Sequence, residues 1–213
     1  MDDRPIGIFD SGVGGLTGLK ALRRLLPGEE LVFFADTGRM PYGPRPLSEL
    51  RAIAVQDMDY LASFGVKAIL AACGTISSAA HRELADYPIP AFGVLHPAVA
   101  AMAAVAGDKP LAVIATAASI ESGQFTEPLR ALCPGREIVG LACPEFAPMI
   151  EAGHIAPDDP VLQSRFTLQM MKSEINLCLF QKPILWTNLW KQLSTMNKLL
   201  GVELHLNILC LMG

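Results

Sequence analysis

Two textures of hydrophobic and polar positions alternate along the chain. The runs "PIGIF" (5–9), "ELVFFA" (30–35), "KAILAA" (67–72), "AFGVL" (91–95), "LAVIA" (111–115) and "EIVGLA" (137–142) are almost wholly apolar. Such runs fit strands buried on both faces. Between them, "LTGLKALRRLL" (16–26) and "SELRAIAVQDMDYLASF" (48–64) place apolar residues at helical spacing, and Gly65 stops the second. Further helices are expected from about Ser77, over the Ala-rich stretch 97–106, near Phe125 to Leu132, and around Phe146 to Ala152. Apolar strands separated by helices predict an α/β fold built on parallel sheets. Ligands of such sheets bind beyond the carboxyl ends of the strands. That rule gathers Asp10 and Ser11, Asp36 and Thr37, Cys73 to Thr75, and Thr116 along one edge.

Composition narrows the class. With 213 residues, 51% of them apolar, and a net charge of −4, the chain is long enough for one large or two small globular domains. It is not basic enough to suggest nucleic acid, nor polar enough to suggest disorder. The N-terminal "MDDRPIGIFD" is acidic where a signal peptide would be basic, and "AVAAMAAVAG" is too short to cross a bilayer. A cytoplasmic location with no membrane partner is therefore expected. The five cysteines (Cys73, Cys133, Cys143, Cys178, Cys210) form no C-x-x-C pair and have no histidine at ligand spacing. Neither a metal site nor a disulfide framework is indicated, so each thiol is a small buried hydrophobe or a reagent.

After about residue 161 the composition shifts. Alanine stops at Ala156 and arginine at Arg165, while all four asparagines and both tryptophans lie beyond. Two readings stay open for this tail: an altered frame, splice or fusion, or an ordinary helical subdomain.

Three short stretches carry candidate chemistry. In "FDSGVGGLTG" a strand runs into glycines and then a helix, the order that presents backbone N–H groups to an anion. The third glycine of a dinucleotide fingerprint would fall at Thr17, however, and the Asp10 carboxylate would repel a pyrophosphate. The alternatives are a purely structural turn or an amino-acid site, where Asp10 meets an ammonium or moves a proton and Ser11 donates hydrogen bonds. "MPYG" (40–43) is by itself an ordinary turn. In "AACGTISSAA", Cys73 stands where a strand meets a helix N-terminus, a setting that favours a thiolate, while Thr75, Ser77 and Ser78 offer hydroxyls to a carboxylate. Taken alone, the cysteine reads more as packing than as a reagent. Glu151 in "CPEFAPMIEAG" reads as a solvated acid, and His81, His96 and His154 show no partner in the sequence.

Taken in order, "IGIFDSGVGGLTGLK", "FFADTGRMPYG", "AACGTISSAA", "AVIATAASIESGQF" and "LACPEFAPMIEAG" resemble the glutamate racemases over residues 5 to about 160. The resemblance implies two similar α/β domains facing a cleft, divided here as 1–96 and from 97, the second incomplete or altered before an atypical tail at 161–213. It implies a cofactor-independent isomerase that interconverts L- and D-glutamate for peptidoglycan, using two cysteines on opposite faces of the substrate. It also allows a homodimer. By position, Cys73 becomes the first thiol base and Asp10 its neighbouring acid. Ser11, Tyr42, Gly43, Gly74 and Thr75 become substrate contacts, Thr116 and Ser119 join them from the second domain, and Glu151 matches an acid near the second base.

Two departures qualify the resemblance. Gly74 replaces the family's asparagine after the first cysteine, leaving only backbone at that position. The second-cysteine motif, "GCTHYP", is absent; Cys178 lies at a similar separation, but in "INLCLF" it has neither the Thr-His pair nor a glycine turn. The chain as written is therefore expected to lack the second base. Two rival readings accompany this one: a non-catalytic amino-acid-binding relative, and a racemase for another substrate such as aspartate.

Overall fold

The computed structural model describes residues 2–105 and 111–152. The tail beyond, with Cys178, lies outside the described residues. Strands β1 (Ile6–Asp10), β2 (Leu31–Ala35), β3 (Ala68–Ala71) and β4 (Ala91–Gly93) form a parallel sheet of order β2-β1-β3-β4. Strands β5 (Leu111–Ala115) and β6 (Ile138–Ala142) form a second, also parallel. The helices are α1 (Leu16–Leu25), α2 (Leu47–Ala62), α3 (Gly74–Ala79), α4 (His81–Ala85), α5 (Leu95–Val105), α6 (Ala117–Glu121), α7 (Thr126–Leu132) and α8 (Phe146–Glu151). Described residues as far as Pro144 belong to one compact unit, and α8 belongs to another. The expected α/β class with parallel sheets flanked by helices is the observed one. No helix among the described residues is long and apolar enough to cross a membrane.

Each sheet has its own core. Phe9, Leu50, Met58, Leu61, Ile69 and Ile76 pack under the first, and Leu95, Val99, Val113, Phe125 and Leu129 under the second. Burying a side chain of this size stabilises the fold by about 1.5–3 kcal/mol. Helix α2 turns Leu50, Ile53, Ala54, Asp57, Met58 and Leu61 inward at helical spacing, so one carboxylate shares its apolar face. The chain leaves the end of α2 through Gly65, whose φ of +71° suits a residue without a Cβ.

Two local expectations are corrected. The helix placed from about Ser77 begins at Gly74, directly after Cys73, because the Ser77 amide already bonds the Cys73 carbonyl at 2.9 Å. Helix α6, absent from the sequence reading, is a short turn capped by Thr116, whose hydroxyl accepts from the Ser119 amide. Both elements are too short to show a periodic apolar stripe.

Candidate active site

The register of the first sheet sets the stage. Phe9 pairs with Phe34 and Ala71, and the ladder continues outward as Asp36 N to Asp10 O and Ala72 N to Phe9 O, each at 2.9 Å. Asp10, Asp36 and Cys73 therefore emerge side by side at the carboxyl end, where ligands of parallel sheets bind. Asp10 and Cys73 are buried, and Ser11 is half-buried.

The three side chains nearest the expected chemistry form a chain of hydrogen bonds. The Cys73 thiol donates to Ser11 Oγ across 3.7 Å, and Ser11 Oγ donates to Asp10 Oδ1 at 3.1 Å. Asp10 Oδ1 also accepts the Gly12 amide at 3.0 Å. The glycine turn thus presents an N–H group to a carboxylate of its own chain, which argues against the dinucleotide reading. Gly15 has an ordinary φ of −63°, yet a Cβ on it would lie 2.6 Å from Asp10 Cβ and 3.1 Å from Ala72 Cβ. That glycine is required by the close passage of the α1 N-terminus over Asp10.

Burial pushes the Cys73 thiol up to about 12, and the Asp10 carboxylate adds to the rise, against hydrogen bonds from the Ile76 amide and from Ser11. Desolvation and the like charge of Asp10 therefore oppose the thiolate expected from the N-terminus of this six-residue helix. Burial also raises the Asp10 carboxyl, opposed by the Gly12 and Ser11 hydrogen bonds.

A cluster of buried hydroxyls joins the two sheets. Thr75 Oγ1 lies 3.1 Å from Thr116 Oγ1, Thr116 Oγ1 lies 3.0 Å from Ser119 Oγ, and Ser78 Oγ lies 3.2 Å from Ser119 Oγ. Three of the expected substrate contacts, Thr75, Thr116 and Ser119, thus stand together one step from Cys73. Ser77 does other work: its hydroxyl donates to Ala71 O and accepts the Val94 amide, each at 3.0 Å, tying β3 to the chain after β4.

The turn 40–43, with a cis Met40–Pro41 bond, packs on this cluster. A Cβ on Gly43 would sit 3.0 Å from Thr116 Cγ2, and Gly43 O accepts the Ala118 amide at 3.2 Å. The Tyr42 phenol points away from any role as a free donor, because it is buried on Asp36 Oδ2 and lies 3.0 Å from Asp57 Oδ2. Arg39 closes the group, pairing with Asp36 at 2.6 Å and with Asp57. Sequence reasoning missed Arg39 and Asp57. A signal was present, since position 57 falls on the apolar stripe of α2. Gly74 opens α3 and is itself buried. Glu151 is the last residue of α8; its side chain lies outside what is described.

The described residues thus form an α/β protein of parallel sheets, with a hydrogen-bonded thiol, hydroxyl and carboxylate at the strand ends. No known family model matches the chain. It is 48% identical over 158 residues to the glutamate racemase of Thermus thermophilus, covering 74% of this chain and 57% of that relative. Among solved structures, the Francisella tularensis glutamate racemase in complex with D-glutamate matches with a TM-score of 0.73 and 32% identity, over 83% of this chain and 66% of that one. The Thermus thermophilus glutamate racemase in complex with beta-chloro-D-alanine matches with a TM-score of 0.63 and 46% identity, over 76% and 60%. Over the 158 matched residues the chain is similar to the glutamate racemases. It spans less than two thirds of the length of each of these glutamate racemases.

Proposed function

We propose that this chain carries the first-base half of a cofactor-independent glutamate racemase, its first domain running to about residue 96 and its second beginning at 97. In the complete reaction, L- and D-glutamate interconvert for use in peptidoglycan. The observation that carries this reading is the hydrogen-bonded chain from Cys73 through Ser11 to Asp10 at the carboxyl edge of β1 and β3. Along that chain the thiol proton passes to Ser11 Oγ as the Ser11 proton passes to Asp10 Oδ1. The result is a thiolate and a neutral carboxyl. The Asp10 carboxyl is already raised by burial, which favours its taking a proton.

An amino-acid ammonium brought beside Cys73 and Asp10 offsets the charge that now raises the thiol. The thiolate then removes the Cα proton, and negative charge grows on the substrate carboxylate. Hydroxyls of Ser11, Thr75, Thr116 and Ser119, with the backbone of Tyr42, Gly43 and Gly74, receive that charge by hydrogen bonding. Protonation from the opposite face requires a second acid, assisted by Glu151 in the family pattern. No candidate for that acid other than Cys178 is visible in the sequence, so the chain as written exchanges the proton of one enantiomer without completing racemisation. The reading further carries a cytoplasmic location, glutamate as the small-molecule partner, and a homodimer as the assembly to test.

A second reading is favoured by the burial of Cys73 close to the Asp10 carboxylate, which pushes the thiol up and leaves little thiolate at neutral pH. A non-catalytic amino-acid-binding relative would bind glutamate and exchange nothing. Calorimetric titration with L- and D-glutamate, with Cα–H exchange followed by proton NMR, separates the two. The racemase reading expects binding, and exchange that Cys73→Ala abolishes. Binding that survives Cys73→Ala, with no exchange in the unaltered chain, would establish the rival.

A further inference from the structure

The group formed by Asp36, Arg39, Tyr42 and Asp57 is not explained by the chemistry above. Asp57 is fully buried on the inner face of α2, and Asp36 is nearly so. Arg39 is the one cation among the described residues that pairs with them, and it also donates to Gln56 Oε1 at 2.7 Å. The Tyr42 phenol has one hydrogen, yet its oxygen lies within bonding distance of carboxylate oxygens on both Asp36 and Asp57. Both contacts are satisfied only when one carboxyl is protonated and donates to the phenol oxygen, leaving the phenol hydrogen for the other. Asp57 is the carboxyl suited to this: burial pushes it up to about 6, with the Asp36 charge adding to the rise and Arg39 and Tyr42 opposing it.

The group is connected to the candidate active site through covalent neighbours. Tyr42 is followed by Gly43, whose carbonyl accepts the Ala118 amide and whose Cα packs on Thr116. Thr116 in turn meets Thr75, two residues from Cys73. We propose that Asp57 is a positioning residue for the site: through Arg39 and Tyr42 it fixes the Tyr42–Gly43 turn, and through that turn the Thr116–Ser119 hydroxyls. The groups facing it are Arg39 and Tyr42 from the 36–43 segment and, across the phenol, Asp36. The effect of this positioning on glutamate rests on the functional reading; the structural coupling does not.

The test uses the full chain, labelled with nitrogen-15, and follows the backbone amides of Gly43, Thr116 and Ala118 between pH 4 and 8. In the unaltered protein these resonances are expected to titrate together with a midpoint near pH 6. Asp57→Asn should abolish the titration, whereas Asp59→Asn, on the exposed side of α2, should leave it intact. Tyr42→Phe removes the phenol hydroxyl while keeping the ring, and should displace the same three amides even if Asp57→Asn fails to fold. With D-glutamate as the probe, Asp57→Asn should weaken binding about tenfold, the scale of effect that misplaced binding groups produce. Amides that do not titrate in the unaltered chain, and that stay in place in Tyr42→Phe, would overturn the proposal. An intact amide response in a protein that fails to bind D-glutamate would overturn the functional reading and leave the coupling standing.

Discussion

Thr75 and Thr116 hold their hydroxyl oxygens 3.1 Å apart, both side chains buried, and so join the helix that follows Cys73 to the turn that follows β5. Forty-one residues separate them, and the contact has neither an apolar driving force nor a charge. It persists because each hydroxyl is cut off from water and has few alternative partners.

Replacing Thr116 by valine keeps the shape and removes one member of the cluster. Thr75 Oγ1 and the Ser119 amide then lose a partner, at a cost of about 1–3 kcal/mol in stability. Urea denaturation of Thr116→Val measures this directly. Thr75→Val combined with Thr116→Val should cost less than the sum of the single changes, because the two residues share one interaction.

Gly15→Ala tests the close passage of α1 over Asp10. A Cβ placed 2.6 Å from Asp10 Cβ has to displace backbone on one side or the other. The expected loss is about 1–3 kcal/mol, the usual penalty of overpacking. A thermal melt within a degree of the unaltered protein would show that the turn yields freely.

Without added substrate, the thiol of Cys73 should be slow to react. Burial and the Asp10 charge raise it, so the thiolate fraction at pH 8 is smaller than for an exposed cysteine. Asp10→Asn removes a negative charge, lowers the thiol toward its ordinary range, and should speed alkylation by iodoacetamide, read by mass spectrometry on the Cys73 peptide. An unchanged rate would mean that access, not charge, limits the reaction.

Asp57 gives a pH dependence whose sign can be worked out. Its folded value of about 6 exceeds the ordinary 3.8, so the folded state binds more protons between these limits and stability from this group falls as pH rises through them. The decline amounts to about 3 kcal/mol. Asp57→Asn does not titrate, so its stability relative to the unaltered protein should increase between pH 4 and 7. Parallel stability curves for the two proteins would place Asp57 at its ordinary value.

Much of the fold is legible in the pattern of apolar runs. The strand around Ile8 and the helix around Leu50 to Leu61 fall within a residue or two of their expected places, because burial on both faces of a sheet and on one face of a long helix leaves strong periodic signals. Helices α3 and α6 are less readable. Each is only five or six residues long, and tertiary hydrogen bonds from Ser77, Ser78 and Ser119 hold them in place of a stripe. Within the candidate site, Asp10, Ser11 and Cys73 were legible as strand-end residues, since the topology of a parallel sheet brings such ends together. The link from Asp57 to Tyr42 was not, because it joins a mid-helix position to a loop fifteen residues earlier through side chains alone. An acidic residue on the apolar stripe of α2 is the feature that could have drawn attention to it.

Whether Cys73 acts as a single base is tested directly by proton exchange at Cα of glutamate in D2O, followed separately from pure L- and pure D-glutamate by NMR and by chiral analysis of the product. Deuterium is expected to enter one enantiomer, in a manner dependent on Cys73, with no net inversion. Equal incorporation from both enantiomers with racemisation would show that a second base is present after all. No incorporation from either would contradict the assignment of Cys73 as a base.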